Sequence, residues 1–431
     1  MSPELIGLIG IIALFVLMFL KVPIGFSMLI VGAVGYAAII SPTAAMAKLG
    51  TDIFNNTHNY GLCVIPMFTL MGMILGHTGL GSDLFKGFNA WLGHIRGGLA
   101  IATIATCAAF AAVSGSVIAT TATIANVAVP EMRKKNYADS LNAGCVASGS
   151  TLGILIPPSS VMIIYGLLTE ESIGQLLIGG VIPGLITAFL LALTAYILVR
   201  IKPSLAPGSY KASWKEKFTS IKLIWPVPVI FLISMGGIYL GFFTPTEGGA
   251  IGAFVALIVS IVGRRFTWKG FGEALLGTVR IVAMLMILLI GGVVFGNFLS
   301  VSKIPQWLSA YFINMPPIVL MLAIFACYFV AGFFMDAMAI LIIFTGLFYP
   351  LIIQAGYSGI WYGAVTILML LIGFLTPPVG VVAIVTSGIT KIKLETVFKG
   401  VIPFWIALVV STLLMIFIPD LVTFLPNLMA K

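Results

Sequence analysis

The hydrophobic pattern of this chain consists of long apolar runs separated by short polar segments. Apolar stretches of about 20 residues, long enough to cross a bilayer as helices, recur along the whole length. Within lipid, every backbone polar group must be satisfied inside a helix or against a protein-lined cavity. The pattern therefore predicts an all-α polytopic membrane protein.

One apolar pattern occurs twice, at a constant offset of 220 positions. The segment GILIPP at 153–158 returns as GFLTPP at 373–378, and 16 of the 80 residue pairs that match 107–186 with 327–406 are identical. Each copy places two prolines inside an apolar stretch. A helix must break there, because proline lacks an N–H group and restricts the residue before it. Paired broken helices in matching halves are typical of secondary transporters.

Composition and charge agree with this class of protein. The chain is 60% hydrophobic and 8% charged, and its net charge of +9 comes from short Lys and Arg clusters between the apolar runs. Such clusters are typical of cytoplasmic loops and argue against a nucleic-acid surface. Because Glu4 precedes the first run and Lys21 follows it, the first helix is predicted to be retained and to enter from outside. On this path 19 of 22 Lys and Arg residues are cytoplasmic, and only Lys48, Lys303 and Lys431 lie outside.

The first predicted repeat covers residues 1–199. Its apolar segment at about 96–132 is cationic at both ends and carries Ser114, Gly115 and Ser116 in the middle. A single crossing would place the two ends of the segment on opposite sides of the membrane, but both ends are predicted to be cytoplasmic. The segment is therefore predicted to be a re-entrant hairpin with the three small residues at its tip. Small residues at a helix–helix contact explain the same pattern equally well. A broken helix follows at about 137–169.

A linker and a second repeat complete the predicted organisation. Residues 200–222, with five Lys residues and two prolines, are predicted to form a cytoplasmic linker. Residues 223–431 form the second repeat, with a hairpin at about 305–352 and a broken helix at about 357–388. Because the first half crosses the membrane an odd number of times, the second repeat is predicted to have inverted topology.

The two breaks carry the predicted chemistry. Prolines leave the carbonyl groups of about 153–156 and 373–376 without partners inside the helix. These oxygens suit a hard cation such as sodium, whereas the N-terminal ends of half-helices attract an anionic substrate. The alternative is a structural kink whose polar groups are satisfied by neighbouring Ser and Thr residues.

Two carboxylates remain open to interpretation. Asp336, which follows Phe334 and Met335 at the predicted tip of the second hairpin, is the only one predicted deep in the membrane. A charge at mid-bilayer costs about 3 kcal/mol, which favours a functional role, although a water-exposed tip is the alternative. Glu247, in the segment TPTEGG, begins a helix and either stabilises its N-terminal dipole or belongs to a site.

Several classes of function are excluded by missing motifs. The sequence has no G-x-x-x-x-G-K-[ST] loop for ATP, no H-E-x-x-H metal motif and no G-x-S-x-G nucleophile elbow. The four cysteines are scattered singly and lack zinc-site spacing. The sequence therefore predicts no enzyme and no cofactor, and ion-coupled secondary transport is the remaining interpretation.

Five motifs together resemble a known family: A-A-x-S-G-S at 111–116, A-T at 119–120, L-I-P-P-S at 155–159, F-M-D at 334–336 and L-T-P-P-V-G at 375–380. The chain resembles, over essentially its whole length, the DctM-like large membrane subunit of tripartite ATP-independent periplasmic (TRAP) transporters. This resemblance implies a sodium-driven elevator in a bacterial or archaeal inner membrane. It also implies a small four-helix membrane subunit, expected here as a separate chain, and a periplasmic receptor that delivers an organic acid.

The resemblance also implies site residues. A first sodium site maps to Ser114, Val117, Gly153, Ile156 and Pro158, largely through carbonyl groups. A second sodium site maps to Gly332, Gly373, Thr376 and Val379. Candidates for lining the substrate cavity are Ser116, Ser159 and Asp336.

Two other functions stay open at this point. A self-sufficient sodium/dicarboxylate symporter of related architecture would need no receptor, and a channel or membrane scaffold would show no sodium dependence. A C4-dicarboxylate, another small organic acid and a sialic acid are equally compatible substrates.

Overall fold

The computed structural model describes residues 1–207, 212–312, 315–332, 337–377 and 380–429, which are almost entirely helical and contain no β-strand. The helices of the first half are α1 (Pro3–Phe19), α2 (Ile24–Ile39), α3 (Pro42–Thr57), α4 (Val64–Gly76), α5 (Leu80–Leu92), α6 (Gly98–Ser114), α7 (Val117–Lys134), α8 (Asp139–Thr151), α9 (Ser160–Thr169), α10 (Ile173–Gly179) and α11 (Val181–Ile201). Those of the second half are α12 (Trp214–Ile224), α13 (Pro226–Tyr239), α14 (Pro245–Val262), α15 (Trp268–Val301), α16 (Ile304–Phe312), α17 (Pro317–Ala331), α18 (Ala337–Gln354), α19 (Gly359–Leu375), α20 (Val381–Thr390), α21 (Leu394–Phe417) and α22 (Asp420–Met429).

Many of these helices have the length and composition of membrane spans. Within the described ranges, six spans are long and apolar enough to cross a bilayer: α10–α11, α12–α13, α14, α15, α18 and α21. A seventh results if α3 and α4, bent by 50° at a short break, count as one. The prediction of an all-α polytopic membrane protein is confirmed.

The helix boundaries recur at the same 220-residue offset as the sequence pattern. Helix α7 begins at Val117 and α18 at Ala337, and helix α8 begins at Asp139 and α19 at Gly359. The interruption between α8 and α9 likewise has its counterpart between α19 and α20. The repeated sequence thus produces repeated local structure.

Glycines bring the helices of one group unusually close together. Helix α2 packs along α15, and α4 packs along α14. A Cβ atom on Gly32 would lie 2.8 Å from the backbone nitrogen of Phe295, and one on Gly25 would lie 2.9 Å from the carbonyl oxygen of Ile287. Small residues permit such backbone contacts, which supply the packing energy between helices in lipid. We call α2, α4, α14 and α15 the scaffold group.

The broken helices and hairpin arms form a second group, with contacts that cross between the two halves of the chain. Helix α7 packs on α20, α9 packs on α18, and α8 packs along α21. The last contact is the closest, because a Cβ atom on Gly400 would lie 2.8 Å from the backbone carbon of Ser140, and one on Gly144 would lie 2.7 Å from that of Gly400. The halves therefore fold as one interlocked unit around both breaks.

Gly400→Ala should destabilise the protein strongly. The added methyl group meets the backbone of α8 rather than a flexible side chain, so α8 and α21 must separate, at a cost of about 1–3 kcal/mol or more. We expect a lower melting temperature of the purified protein in detergent. Gly236→Ala on α13 is the matched control, because no atom lies within 4 Å of its added methyl group. Equal melting temperatures for the two variants would contradict the prediction.

The structure shows the conformation of the predicted linker and the role of Glu247. The predicted linker contains α12, whose N-terminus is capped by Ser213 and Glu216 and which packs on α5 through Ile224 and Gly87. Glu247 also serves as a cap: its carboxylate accepts a hydrogen bond from the backbone nitrogen of Thr244 at 2.8 Å, in a capping box at the start of α14. This geometry favours the capping interpretation of Glu247.

Candidate transport site

The turn between α6 and α7 is a compact cluster of small polar residues. Gly115 adopts a left-handed conformation with φ of 60°, which glycine tolerates without strain. Ser116 caps α7 by accepting a hydrogen bond from the backbone nitrogen of Ala119. The hydroxyl groups of Ser114 and Thr120 lie 2.9 Å apart, and Thr120 also donates to the carbonyl oxygen of Ser116 at 2.7 Å. These bonds fix the tip in one conformation.

The break between α8 and α9 leaves backbone acceptors unused. Within the described part of the chain, the carbonyl oxygens of Ile156, Pro157 and Pro158 accept no hydrogen bond. Ser159 restores order on the far side, since its hydroxyl donates to the carbonyl oxygen of Ile154 at 2.6 Å and accepts from the backbone nitrogen of Met162. These carbonyl oxygens, which no described residue satisfies, are therefore available to a cation, water or a ligand.

The hairpin tip and the break are in direct contact. A Cβ atom on Gly153 would lie 2.8 Å from the carbonyl carbon and oxygen of Ser116, and one on Gly115 would lie 2.6 Å from the carbonyl oxygen of Pro158. Only glycine permits this approach at either position. The tip residues Ser114 and Val117, which flank these contacts, thus come together with the break residues predicted for the first sodium site.

The second break repeats part of this arrangement. Gly332, at the end of α17, contacts Gly373 backbone to backbone, since a Cβ atom on Gly332 would lie 2.8 Å from the Cα atom of Gly373. Thr376 ends α19, and its hydroxyl donates to the carbonyl oxygen of Ile372 at 2.6 Å. Three of the four residues predicted for the second sodium site are therefore neighbours. Val379 and the predicted cavity residue Asp336 lie outside the described residues.

A cavity of about 750 Å³ lies between the scaffold group and the hairpin tip. Its wall includes Ser114, Ser116, Val117 and Pro158 from the predicted sites, together with apolar side chains of the scaffold such as Phe68. None of the described residues along this wall is ionisable. An anion in this cavity would therefore depend on hydroxyl groups, helix N-termini or a bound cation for its stabilisation.

The cavity-lining serine differs from the one that sequence reasoning selected. Ser159 is fully buried and its hydroxyl is engaged within the break, whereas Ser160, the first residue of α9, lies on the cavity wall. The Ser160 hydroxyl donates to the carbonyl oxygen of Gly115 at 3.5 Å. The sequence contained a signal for this difference. Ser159 has the position of an N-cap residue, and the side chain of an N-cap residue turns back towards the backbone instead of facing a cavity.

Polar contacts that the sequence did not indicate join the halves at the edges of this group. Tyr349 donates to the Glu171 carboxylate at 2.7 Å. Arg133, in the last turn of α7, donates to Asp139 at 2.8 Å and to the carbonyl oxygen of Thr390 at 3.3 Å. The guanidinium hydrogen bond lowers the pKa of Asp139 and raises that of Arg133. Both side chains are partly exposed, so solvent screening keeps the contribution of this pair to stability small.

The donor atoms at the breaks fit one kind of ion. They are carbonyl and hydroxyl oxygens, which are the ligands of hard cations and a poor match for zinc or copper. Among the described residues, no group of three or more His, Cys, Asp or Glu side chains could hold a metal ion. Sodium is therefore compatible with the residues present at both breaks.

Comparison with solved structures identifies the fold. The structure of the Alcanivorax borkumensis YdaH transporter is similar to this chain, with a TM-score of 0.60 over 97% of this chain and 99% of that chain. Their sequences are only 16% identical, so the likeness establishes the fold alone. The two proteins share a polytopic all-α membrane fold.

Comparison of sequences then gives the family. The family model for the "Tripartite ATP-independent periplasmic transporter, DctM component" matches residues 11–421. A C4-dicarboxylate TRAP transporter large permease protein DctM of Pseudomonas aeruginosa is 35% identical over 90% of this chain and 91% of its own length. A sialic acid TRAP transporter large permease protein SiaM of Vibrio cholerae is 31% identical over 96% of both. This chain belongs to the family of TRAP transporter large permeases, as the motif resemblance implied, and this family consists of transport proteins rather than enzymes.

Proposed function

We propose that this permease carries an organic acid into the cell across the inner membrane, driven by sodium ions that bind at the two helix breaks. The observation that carries the proposal is the cluster of carbonyl oxygens at Ile156, Pro157 and Pro158, which accept no hydrogen bond from the described residues and lie beside the hairpin tip. Unsatisfied carbonyl groups in a membrane interior cost several kcal/mol each, unless a ligand such as a cation satisfies them. Several such oxygens close together suit a dehydrated sodium ion.

Substrate binding and sodium binding would share the same residues. The N-termini of α7 and α9, capped by Ser116 and Ser159, lie beside the cavity and carry the partial positive charge of helix dipoles. A carboxylate group held there would also be attracted by sodium ions bound behind the tip. Binding of each would then favour binding of the other, which is the thermodynamic basis of coupling.

The proposed transport movement is a displacement of the group with the breaks relative to the scaffold group. Within the scaffold group, α2 and α15 are joined by backbone contacts of glycines and α4 packs along α14, whereas the group with the breaks is interlocked by contacts between the halves. An elevator mechanism, in which the second group slides against the first, preserves both sets of contacts. Inverted topology of the two repeats would relate the inward-facing and outward-facing positions of this group, as in other inverted-repeat transporters.

Two partners complete the proposed system. A small four-helix membrane subunit, on a separate chain, would cover the outer apolar surface of the scaffold group, where side chains such as Phe254 and Ile261 on α14 are exposed. A periplasmic receptor would bind the organic acid and deliver it. The substrate would be a carboxylate, and the relatives named for C4-dicarboxylates and for sialic acid give the first compounds to test.

Replacing sodium should abolish uptake. We expect vesicles that contain this permease with its small subunit to accumulate the organic acid that stabilises the receptor, when receptor and an inward sodium gradient are both present. With choline in place of sodium, uptake should fall to the level of empty vesicles, because the break carbonyl groups lose their ligand. Unchanged uptake in choline would contradict sodium coupling, and uptake without receptor would favour the self-sufficient symporter.

A further inference from the structure

Trp405 on α21 contacts the second helix break through one specific hydrogen bond. Its indole nitrogen lies 3.1 Å from the hydroxyl oxygen of Thr376, the residue that ends α19. The Thr376 hydroxyl in turn lies 2.6 Å from the carbonyl oxygen of Ile372. A tryptophan side chain on a different helix thus reaches the residue at which the broken helix ends.

The direction of each hydrogen bond follows from the number of available protons. An indole N–H is a donor only, and a hydroxyl group has one proton and two lone pairs. The indole must therefore donate to Thr376, whose own proton is directed at Ile372. Among the described residues, no second donor reaches the hydroxyl oxygen, so one of its lone pairs remains available, and the two bonds fix the direction in which it points. A fixed oxygen lone pair is a suitable ligand for a hard cation.

The first repeat has no equivalent of this pair. The residues 220 positions earlier are Ile156 and Leu185, and the Leu185 side chain is exposed. Additional contacts hold Trp405 in place, since its ring lies 6.0 Å from that of Phe329 on α17. Trp405 and Thr376 also share the wall of a small cavity of about 100 Å³. The contact is therefore a specific feature of the second break rather than a consequence of the repeat.

We propose that Trp405 is a positioning residue for a cation at the second break, which orients the Thr376 hydroxyl so that its free lone pair faces the ion. The proposal rests on the sodium coupling proposed above and adds a residue to it. Trp405 acts through Thr376 and need not touch the ion itself. Its loss should weaken sodium binding at the second break while leaving the ligands of the first break intact.

Sodium-dependent stabilisation of the purified permease tests this without any substrate. The melting temperature is measured in detergent as sodium chloride replaces choline chloride at constant ionic strength. For Trp405→Phe, which keeps a ring and removes the donor, we expect the sodium concentration of half-maximal stabilisation to rise about fivefold. Thr376→Val should raise it at least as much. The double variant should shift no further than Thr376→Val alone, because the two residues act through one interaction.

Trp361→Phe is the matched control. Trp361 also lies between α19 and α21, and its indole donates to the carbonyl oxygen of Met415 at 2.7 Å, away from the break. This variant should lower the melting temperature in choline and leave the sodium midpoint unchanged. An unchanged midpoint for Trp405→Phe, or equal shifts for both tryptophan variants, would overturn the positioning role alone. A wild-type protein that sodium does not stabilise would instead overturn the proposed coupling, together with this inference.

Discussion

Gly153→Ala should reduce uptake by about a hundredfold, because a displacement of about 1 Å is enough to disrupt a site that depends on fixed distances. The added Cβ atom would lie 2.8 Å from the carbonyl carbon and oxygen of Ser116 and 3.0 Å from the backbone nitrogen of Val117. These are backbone atoms and cannot rotate away. The hairpin tip must therefore move off the break, which separates the oxygens predicted to share the first sodium ion. Uptake in vesicles at saturating sodium measures the effect.

Gly388→Ala on α20 is the control for this prediction. It makes the same chemical change in α20, the second half of the other broken helix, where no atom lies within 4 Å of the added methyl group. Uptake should stay at the wild-type rate, and stability should rise slightly because alanine restricts the unfolded chain. If Gly153→Ala transports as well as Gly388→Ala, the close contact between tip and break has no role in transport.

The local features of the site followed from sequence because each has a local cause. Pro157 and Pro158 interrupt a helix wherever they occur in it, and Gly115 between two serines ends one helix and begins the next. In each case, the residue itself supplies the conformational restriction, so no knowledge of its neighbours in space was needed.

Contacts between distant segments did not follow from sequence. Trp405 and Thr376 are separated by 29 residues, and Tyr349 and Glu171 by 178. In a soluble protein, the apolar face of a helix indicates which side is buried, but these helices are apolar all round and give no such indication. Ser159 rather than Ser160 was predicted from the sequence for a related reason. The side chains of these adjacent serines point in different directions, and the sequence does not show which of them faces the cavity.

The charge distribution along the cavity supports a role for the helix breaks in the proposed mechanism. The described wall of the 750 Å³ cavity contains no ionisable residue, so a carboxylate substrate meets no Lys or Arg there. A permanent cation in this position would be costly whenever the cavity was empty. In the proposed mechanism, sodium ions that arrive and leave with the substrate would avoid that cost, and backbone oxygens would be suitable ligands for them.

Asp336→Ala should abolish uptake while leaving the protein folded. Asp336 lies outside the described residues, but Ala337 and Met338, which follow it directly, line the cavity. Placing an ionised carboxylate in an apolar membrane segment costs about 3 kcal/mol. A residue without a role in transport is not expected to impose that cost. Loss of a negative charge that balances a transported cation should cost about 2–3 kcal/mol, or roughly a hundredfold in uptake. Vesicle uptake and the melting temperature measure the two outcomes separately.

Two further variants identify what Asp336 contributes. Asp336→Asn keeps the shape and removes the charge, so it should be as inactive as the alanine variant if the carboxylate balances a cation during transport. Asp420→Ala removes an exposed carboxylate at the start of α22 and should transport normally. Full activity of Asp336→Asn would reduce the role of this residue to hydrogen bonding. Full activity of Asp336→Ala would remove it from the site, because a water-exposed tip would then account for its presence.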